Sequence, residues 1–195
     1  KGEIVKMEGR IPDGMVTEYF NDGNLLAHIK YKDGKKEGNY KAYYKNGKLK
    51  IEGYYSNDKR EGKQKNYYEK GNLMGEGIFK EGMKEGVFKA YYENGNLWEE
   101  GSYKNDKREG NHKLYYKGGR LKEDVIYKDG KKEGLLKWYF VNGKIKLEGK
   151  YKNDKKDGSF KEFYENSNLK SIINYDQDKI ISKEEYDENG NKISK

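Results

Sequence analysis

Hydrophobic and polar positions follow one another along this chain in an order that recurs every 24 residues. Residues 86–109, GVFKAYYENGNLWEEGSYKNDKRE, form one complete copy of that order. A glycine opens each copy, and the opening glycines are Gly14, Gly38, Gly62, Gly86, Gly110, Gly134 and Gly158. A fixed period of this length indicates a repeat protein in which each unit contacts its neighbours.

The first half of each copy predicts a β-strand and then a hairpin turn. An aromatic pair lies five and six residues after the opening glycine, and tyrosine-rich segments with almost no proline favour strands. The pairs are Tyr19-Phe20, Tyr43-Tyr44, Tyr67-Tyr68, Tyr91-Tyr92, Tyr115-Tyr116, Tyr139-Phe140 and Phe163-Tyr164. Turns follow at Asp22-Gly23, Asn46-Gly47, Asn94-Gly95 and Asn142-Gly143, with Lys70-Gly71 and Gly118-Gly119 as variants. Asn-Gly and Asp-Gly favour a two-residue hairpin turn, which is the turn we expect.

The second half of each copy predicts a second strand, which contains a glycine. It begins at Leu25, Leu49, Leu73, Leu97, Leu121, Ile145 and Leu169 and closes at Tyr31, Tyr55, Phe79, Tyr103, Tyr127, Tyr151 and Tyr175. Between these positions stand Gly53, Gly77, Gly101 and Gly149. Glycine normally weakens a strand, so we expect it here to leave room for a neighbouring aromatic ring. A polar loop such as NDKREG leads to the next unit.

Each unit is therefore a β-hairpin, and a single hairpin cannot fold alone. We expect successive hairpins to pair edge to edge in an all-β, solenoid-like fold, an elongated single twisted antiparallel sheet. We assign residues 1–13 to a partial repeat, 14–181 to seven 24-residue repeats and 182–195 to a C-terminal capping hairpin. The last copy departs from the pattern at Ser167, Ile172 and Ile173, as expected where a stack of repeats ends.

Strand periodicity assigns the side chains to two faces. Residues two, four and six after the opening glycine share one face, as Phe88, Ala90 and Tyr92 do. The opposite face carries a column of tyrosines and a column of lysines, and we select it as the candidate binding surface because tyrosine is favoured at interfaces. Its members are Tyr43, Tyr67, Tyr91, Tyr115, Tyr139, Lys41, Lys65, Lys89, Lys113 and Lys137. The alternative is that these rings only cover the second face of a one-layer sheet.

Acidic residues also recur, in two sets. One set precedes the opening glycines: Glu37, Glu61, Glu85, Glu109, Glu133 and Asp157. The other precedes the strand glycine or its slot: Glu52, Glu76, Glu100, Asp124 and Glu148. A ladder of calcium ligands is one interpretation, but the alternating Asp/Asn pattern of a calcium loop is missing. We expect both sets to pair with the recurrent lysines across strands.

Composition alone would place the chain near the disordered class, with 39% charged residues and a mean hydropathy of −1.34. The 20 tyrosines and 6 phenylalanines at strict spacing favour an ordered protein instead. The net charge of +8 comes from interspersed charges, which indicates a solvated surface and no nucleic-acid partner. The sequence lacks cysteine and any apolar run of membrane-spanning length. Because the chain begins at Lys1, we expect it to be a piece of a longer protein.

No group of residues in the sequence predicts catalysis. His28 and His112 occupy different positions in their units, and each replaces a variable residue. No serine has a histidine beside it, and no glycine-rich segment has the phosphate-loop pattern. We predict a non-enzymatic protein with no catalytic residue, metal or cofactor.

The stretch YYENGNLWEEGSYKNDKREG and its sister copies resemble the MORN repeat in its bacterial variant form. The resemblance extends over most of the chain and departs locally at Gly118, Val125 and Ile29. It implies a scaffold or binding module made of β-hairpins, and some bacterial members are grouped as antitoxin-like proteins of the YwqK family. Aromatic repeats of cell-wall- and glucan-binding modules are a second resemblance, although those are richer in tryptophan.

Three functions follow from this resemblance. The first is a repeat scaffold that binds another protein, surface-exposed or secreted in a host-associated bacterium. The second is a cytoplasmic antitoxin-like protein that neutralises a partner toxin. The third is peripheral binding to anionic phospholipid through the lysines and tyrosines. An exported or cell-surface location is favoured over a cytoplasmic one.

Overall fold

The computed structural model describes residues 11–193, so most of the predicted partial repeat at 1–13 lies outside the described residues. Sixteen strands follow one another along the chain: β1 Gly14–Tyr19, β2 Leu25–Lys32, β3 Lys35–Tyr43, β4 Leu49–Ser56, β5 Lys59–Tyr67, β6 Leu73–Lys80, β7 Met83–Tyr91, β8 Leu97–Lys104, β9 Lys107–Tyr115, β10 Leu121–Lys128, β11 Lys131–Tyr139, β12 Ile145–Lys152, β13 Lys155–Lys156, β14 Gly158–Phe163, β15 Leu169–Asp176 and β16 Lys179–Glu185. No helix forms within residues 11–193. The all-β prediction is confirmed.

The strands pair in chain order and antiparallel, as consecutive hairpins require. The chain divides into two compact units, Lys1–Gly95 and Asn96–Lys195. In the first unit each strand from β1 to β6 pairs with the next, and in the second unit the order of pairing is β8 to β12, then β14, β15 and β16, while β13 pairs only with β12. The short β13 and β14 together occupy the place of one strand. The predicted succession of hairpins with a 24-residue period is confirmed.

The two-residue hairpin turns do not lie where the sequence predicted them: they lie in the predicted polar loops, and longer loops lie at the predicted turns. At the predicted Asn-Gly turns the loop has three residues. The N–H of Gly47 donates to the Tyr44 carbonyl at 2.9 Å, the N–H of Tyr44 donates to the Lys48 carbonyl at 2.8 Å, and in this loop only Gly47 has a positive φ. The two-residue turn, with positive φ at both residues, lies at Asn57 and Asp58, inside the segment predicted to be a polar loop. Both turn types are common in hairpins, and Asn and Asp tolerate positive φ.

Two of the opening glycines, Gly14 and Gly158, begin strands, but the other five lie inside strands that begin three residues earlier. Strand β5 begins at Lys59, three residues before Gly62, and its register against β4 shifts at this glycine, which has a φ of 69°. Such a β-bulge with a left-handed residue favours glycine. In β16, Ser182 stands in the corresponding slot and the shift against β15 is one residue smaller. The Asn189-Gly190 pair lies one residue earlier than the 24-residue period predicts, and this displacement reflects the shorter bulge.

The strand glycines leave room for rings, as predicted. A Cβ on Gly53 would lie 2.8 Å from the Tyr40 ring, and a Cβ on Gly77 or Gly149 would overlap the rings of Phe88 or Phe160. Tyr40 and Phe160 are buried on this face of the sheet, which we call the ring face. The rings lie across strand backbones, so that a sheet can bury apolar surface without a second layer.

The two departures from the strand glycine are compensated by their neighbours. Val125 stands in the glycine slot, and its cross-strand partner is Leu136, which is fully buried in place of a ring. Ile29 stands in another glycine slot, and the ring of its partner Tyr40 lies over Gly53 instead. The strand residue is therefore a glycine where a ring lies over it, and it is larger where the ring is absent or lies elsewhere.

Side chains also tie each repeat to the next through hydrogen bonds to backbone. The hydroxyl of Tyr44 donates to the carbonyl of Tyr67 at 2.6 Å, and Tyr116 donates to Tyr139 at 2.7 Å. These tyrosines are the second members of the aromatic pairs. Their repeated use indicates that each hairpin needs its neighbour to satisfy its own polar groups.

Replacing Gly149 with alanine should lower the free energy of unfolding by about 1 to 3 kcal/mol, because the added Cβ overlaps the Phe160 ring. The double variant with Phe160→Leu should be less destabilised than the sum of the two single variants, since Val125 and Leu136 already coexist in this way. Denaturant unfolding followed by tyrosine fluorescence measures both. Gly118→Ala, in open space and without a positive φ, is the control. Strict additivity of the two substitutions would contradict the account.

Candidate functional site

A ladder of alternating charges crosses the strands on the face opposite the rings, and we call this face the ladder face. In the first unit, cross-strand neighbours run in the order Lys41, Glu52, Lys65, Glu76 and Lys89. In the second unit the corresponding order is Glu100, Lys113, Asp124, Lys137, Glu148 and Lys161. The predicted cross-strand pairing of this acidic set with the lysines is confirmed.

The ion pairs that ladder acids make on this face are solvated. The Lys63 Nζ lies 2.9 Å from the Glu76 carboxylate, and the Lys137 Nζ lies 3.9 Å from Glu148. Lys63 lowers the pKa of Glu76 through a hydrogen bond. Exposed pairs of this kind contribute little stability each. The ladder therefore sets the charge pattern of the surface more than it holds the sheet together.

The acids that precede the opening glycines do not join this ladder, and the prediction that they pair with lysine was wrong for those whose bonds the structure shows. The Glu37 carboxylate accepts a hydrogen bond from the N–H of Asn57, and Glu133 accepts from the N–H of Asn153, both at 2.8 Å. Each acid lies beside a bulge, which directs it to the turn of the next hairpin. It satisfies a backbone donor there.

The tyrosine column borders the ladder and is half-buried. The Tyr67 hydroxyl donates to Glu52 and the Tyr115 hydroxyl donates to Glu100, both at 2.7 Å. Burial, and then the bonded Glu52, raise the pKa of Tyr67 to about 12. Within each unit, the structure thus brings the predicted tyrosines and lysines of that unit together on one face. The rings of Tyr67 and Tyr115 are held by ladder acids, so these two present a stiff surface.

Sequence reasoning missed a row of cations above the rings of the opposite face. The guanidinium of Arg60 lies 3.9 Å from the centre of the Phe79 ring, and the Lys156 Nζ lies 4.7 Å from that of Tyr175. Lys36, Arg108 and Lys132 repeat the arrangement over the rings 19 residues further on. The sequence feature that could have revealed these cations is the Lys or Arg that lies two residues before the opening glycine of each of these repeats. Cation–π contacts here cover the ring face, which leaves the ladder face as the candidate site.

The two histidines lie apart and serve the fold. The Nδ1 of His28 lies 3.1 Å from the Thr17 hydroxyl. His112 is buried over Gly101 in the slot that Phe88 and Phe160 fill elsewhere. Its Nε2–H donates to the Ser102 carbonyl at 2.7 Å, and its Nδ1 has no hydrogen-bond partner among the described residues.

Two searches of residues 11–193 bear on other kinds of site. In that part of the chain, no three His, Asp or Glu side chains lie close enough together to hold a metal ion. The same residues contain no helix long and apolar enough to cross a membrane. What the ladder face offers chemically is a pattern of ammonium groups, carboxylates and phenol rings suited to binding.

Hairpins repeated every 24 residues, with a ring face for packing and a ladder face for solvent, define a β-hairpin repeat module. The sequence model of the MORN repeat variant family matches residues 12–33, 36–57, 60–81, 84–105, 132–153 and 156–177, more than half of the chain. The chain therefore belongs to the MORN repeat variant family. MORN repeats are generally linked to protein or membrane binding and are typically non-catalytic. Strands β9 and β10, between the matched segments, form the same hairpin, with the departure at Gly118 in the loop between them and the departure at Val125 in β10.

Comparison with other proteins adds no more specific relative. No curated protein matches the chain. Solved structures of TcdB2-TccC3-Cdc42, TcdB2-TccC3-TEV and TcdB2-TccC3 align with 92%, 89% and 92% of this chain, at 11%, 11% and 10% identity. The TM-scores are 0.24, 0.22 and 0.19, and the alignments span 13%, 10% and 13% of those chains. Nothing about this chain follows from such low scores.

Acid should destabilise the protein through His112, because burial lowers its pKa below the ordinary value of 6.5. Above pH 6.5 the ring is neutral in both the folded and the unfolded protein, and the contribution of His112 to the free energy of unfolding is fully present. Below pH 6.5 the unfolded chain takes up a proton that the folded one does not, so stability falls until pH passes the folded pKa, by at most about 1.4 kcal/mol per pH unit.

Urea unfolding between pH 7.5 and 5.5 measures this loss, and His112→Phe should remove it. Arg108 and Glu99 are the charged groups that act on the ring, and both remain in the variant. Their contributions and those of other titrating groups are then common to the two proteins. Identical pH slopes for the two proteins would show that His112 is not the titrating group.

Proposed function

We propose that the chain is a non-enzymatic scaffold that binds another protein through its ladder face. The observation that carries the proposal is the regular side-by-side arrangement of the lysine and tyrosine columns on that face. Tyr43, Tyr67, Tyr91, Tyr115 and Tyr139, with Lys41, Lys65, Lys89, Lys113 and Lys137, form the proposed binding surface. Tyrosine gives a large contact area at a small cost in conformational entropy.

The contacts of these residues support a rigid surface. Tyr67 and Tyr115 are fixed by their bonds to Glu52 and Glu100, so little side-chain freedom is lost when a partner covers them. The ring face is an unsuitable competitor, because cations such as Arg60 already lie over its rings. A repeated surface also lets one partner contact several units at once.

Phospholipid binding is disfavoured by the alternation of charge. Each lysine of the ladder has a carboxylate on a neighbouring strand, as Lys65 has Glu52 and Glu76. A flat anionic surface would meet both signs at once, so little net attraction would result. Loss of liposome binding at high salt would nevertheless be the sign of a lipid function.

The compartment and the YwqK-like antitoxin hypothesis require a separate experiment, since a protein-binding scaffold suits both settings. We propose a surface-exposed or secreted location in a host-associated bacterium, which the sequence resemblance implies. Antibody labelling of intact cells, with and without external protease, tests it. Signal that appears only after lysis would favour the antitoxin-like function in the cytoplasm.

Replacing Tyr67, Tyr91 and Tyr115 together with serine should reduce partner capture at least about tenfold, since each central tyrosine of an interface contributes strongly. The matched control replaces the same three residues with phenylalanine, which keeps the rings and removes the hydroxyls. Crosslinked extracts analysed by mass spectrometry compare the proteins captured by the wild type and both variants. Circular dichroism verifies that the serine variant is folded. Equal capture by a folded serine variant would refute the tyrosine column as the site.

A further inference from the structure

Four hairpin loops of this chain contain the dipeptide Asn-Gly, at Asn46, Asn94, Asn142 and Asn189, and one of these loops differs from the others in its hydrogen bonds. An asparagine before glycine can lose its side-chain amide nitrogen spontaneously, because glycine has no side chain to hinder attack by its own backbone nitrogen. Asn46, Asn142 and Asn189 are all exposed, so water reaches each of them. Exposure therefore does not distinguish these three loops, and the bonds of the amide decide.

In two of these loops hydrogen bonds fix the amide at both its oxygen and its nitrogen. The N–H of Lys144 donates to the Asn142 Oδ1 at 2.9 Å, and the Asn142 Nδ2–H donates to a Glu165 carboxylate oxygen at 3.2 Å. Asn46 is held in the same way, at 3.0 Å by the N–H two residues further on and at 3.2 Å by a carbonyl of the next hairpin. The side-chain carbon Cγ cannot turn toward the glycine nitrogen until these bonds break.

In the last loop a neighbouring carboxylate takes the bond that holds the other asparagines. The N–H of Asn191 donates to the Asp187 Oδ1 at 2.8 Å. Its counterparts, the N–H groups of Lys48 and Lys144, donate instead to the asparagine of their own loop. Within residues 11–193, the side-chain amide of Asn189 has no hydrogen-bond partner, since only its backbone N–H is bonded, also to the Asp187 carboxylate. The amide of Asn189 is therefore the one that can turn.

The glycine nitrogen is bonded alike in all three loops. The N–H of Gly190 donates to the Asp187 carbonyl at 3.0 Å, and the N–H groups of Gly47 and Gly143 donate to the corresponding carbonyls at 2.9 Å. Each nitrogen has to give up one such bond before it can attack, so this cost is common to the loops. The difference in reactivity depends on the asparagine side chain.

We propose that Asn189 is a site of spontaneous deamidation, and that the fold protects the equivalent asparagines Asn46 and Asn142. The backbone nitrogen of Gly190 attacks the Asn189 Cγ and forms a cyclic succinimide. The side-chain amide nitrogen leaves as ammonia and takes with it the proton that the Gly190 nitrogen gives up. Water then adds to one of the ring carbonyl carbons and opens the ring, which gives aspartate or isoaspartate. The steps are redox-neutral and consume one water.

Either product changes the last hairpin. Both add a carboxylate beside Asp187, and isoaspartate also adds a methylene group to the backbone of the loop. The Asp187 N–H closes this loop by donating to the Asn191 carbonyl at 2.9 Å, and the Ile193 N–H beyond it donates to the Glu185 carbonyl at 2.8 Å. A longer loop backbone disturbs both bonds, so isoaspartate should weaken the attachment of the last hairpin to β16.

Peptide mapping of the full chain by mass spectrometry tests the proposal, after incubation at mildly alkaline pH in buffer and in concentrated urea. For each site, the rate of deamidation in buffer is divided by the rate in urea, which removes the effect of the flanking residues. This ratio should be about tenfold larger at Asn189 than at Asn46 or Asn142, the effect of one or two hydrogen bonds that must break first.

The variant Asp187→Phe tests the cause. Other repeats have Phe or Tyr in this slot, and without the carboxylate the N–H of Asn191 can donate to the Asn189 amide. The variant should slow deamidation of Asn189 in buffer about tenfold and leave the rate in urea nearly unchanged. Asn46 and Asn142 of the same molecule should keep their wild-type rates and are the internal controls. Circular dichroism verifies that the variant is folded.

Equal buffer-to-urea ratios at the three sites, or a larger ratio at Asn46 or Asn142, would overturn the proposal, because the fold would then not select Asn189. An unchanged rate at Asn189 in the folded Asp187→Phe variant would also overturn it, since the carboxylate would not be what leaves the amide unheld. The proposal does not rest on partner binding, which the capture by the tyrosine variants decides separately.

Discussion

An aromatic ring that lies flat against a strand with no side chain is the contact on which the packing of these hairpins depends. A one-layer sheet has no second layer to cover its apolar residues, so the rings must be buried on the sheet itself. Phe88 over Gly77 and Phe160 over Gly149 do this within the two units. Because each ring lies on a neighbouring strand, the contact joins hairpins rather than completing one.

That constraint also explains why the repeats tolerate some substitutions and not others. Val125 is accommodated because its partner is Leu136, and Gln64 lies beside Gly53 because the ring of Tyr40 already covers that glycine. With one face committed to rings and the cations above them, the other face is free to carry charge. The ladder and the tyrosine column both belong to this second face.

The sequence was a good guide where one periodicity determined the outcome. The hairpins, the strand glycines beneath rings and the pairing of Glu52 with Lys41 and Lys65 followed from it. The turn types did not, since Asn-Gly is compatible with both two- and three-residue loops and the distinction depends on register. The bulge at Gly62 could not be predicted either, because it depends on which residues of separate strands become neighbours.

The most direct measurement of the central contact is the chemical shift of the strand-glycine Hα protons by NMR. A ring lying over a glycine shields the protons beneath it. We predict that Gly77 and Gly149 have Hα resonances shifted well upfield, while Gly75, in the same strand as Gly77 but next to backbone and Ala90, does not. Ordinary strand shifts at Gly77 and Gly149 would contradict the account, because the rings would then not cover the backbone.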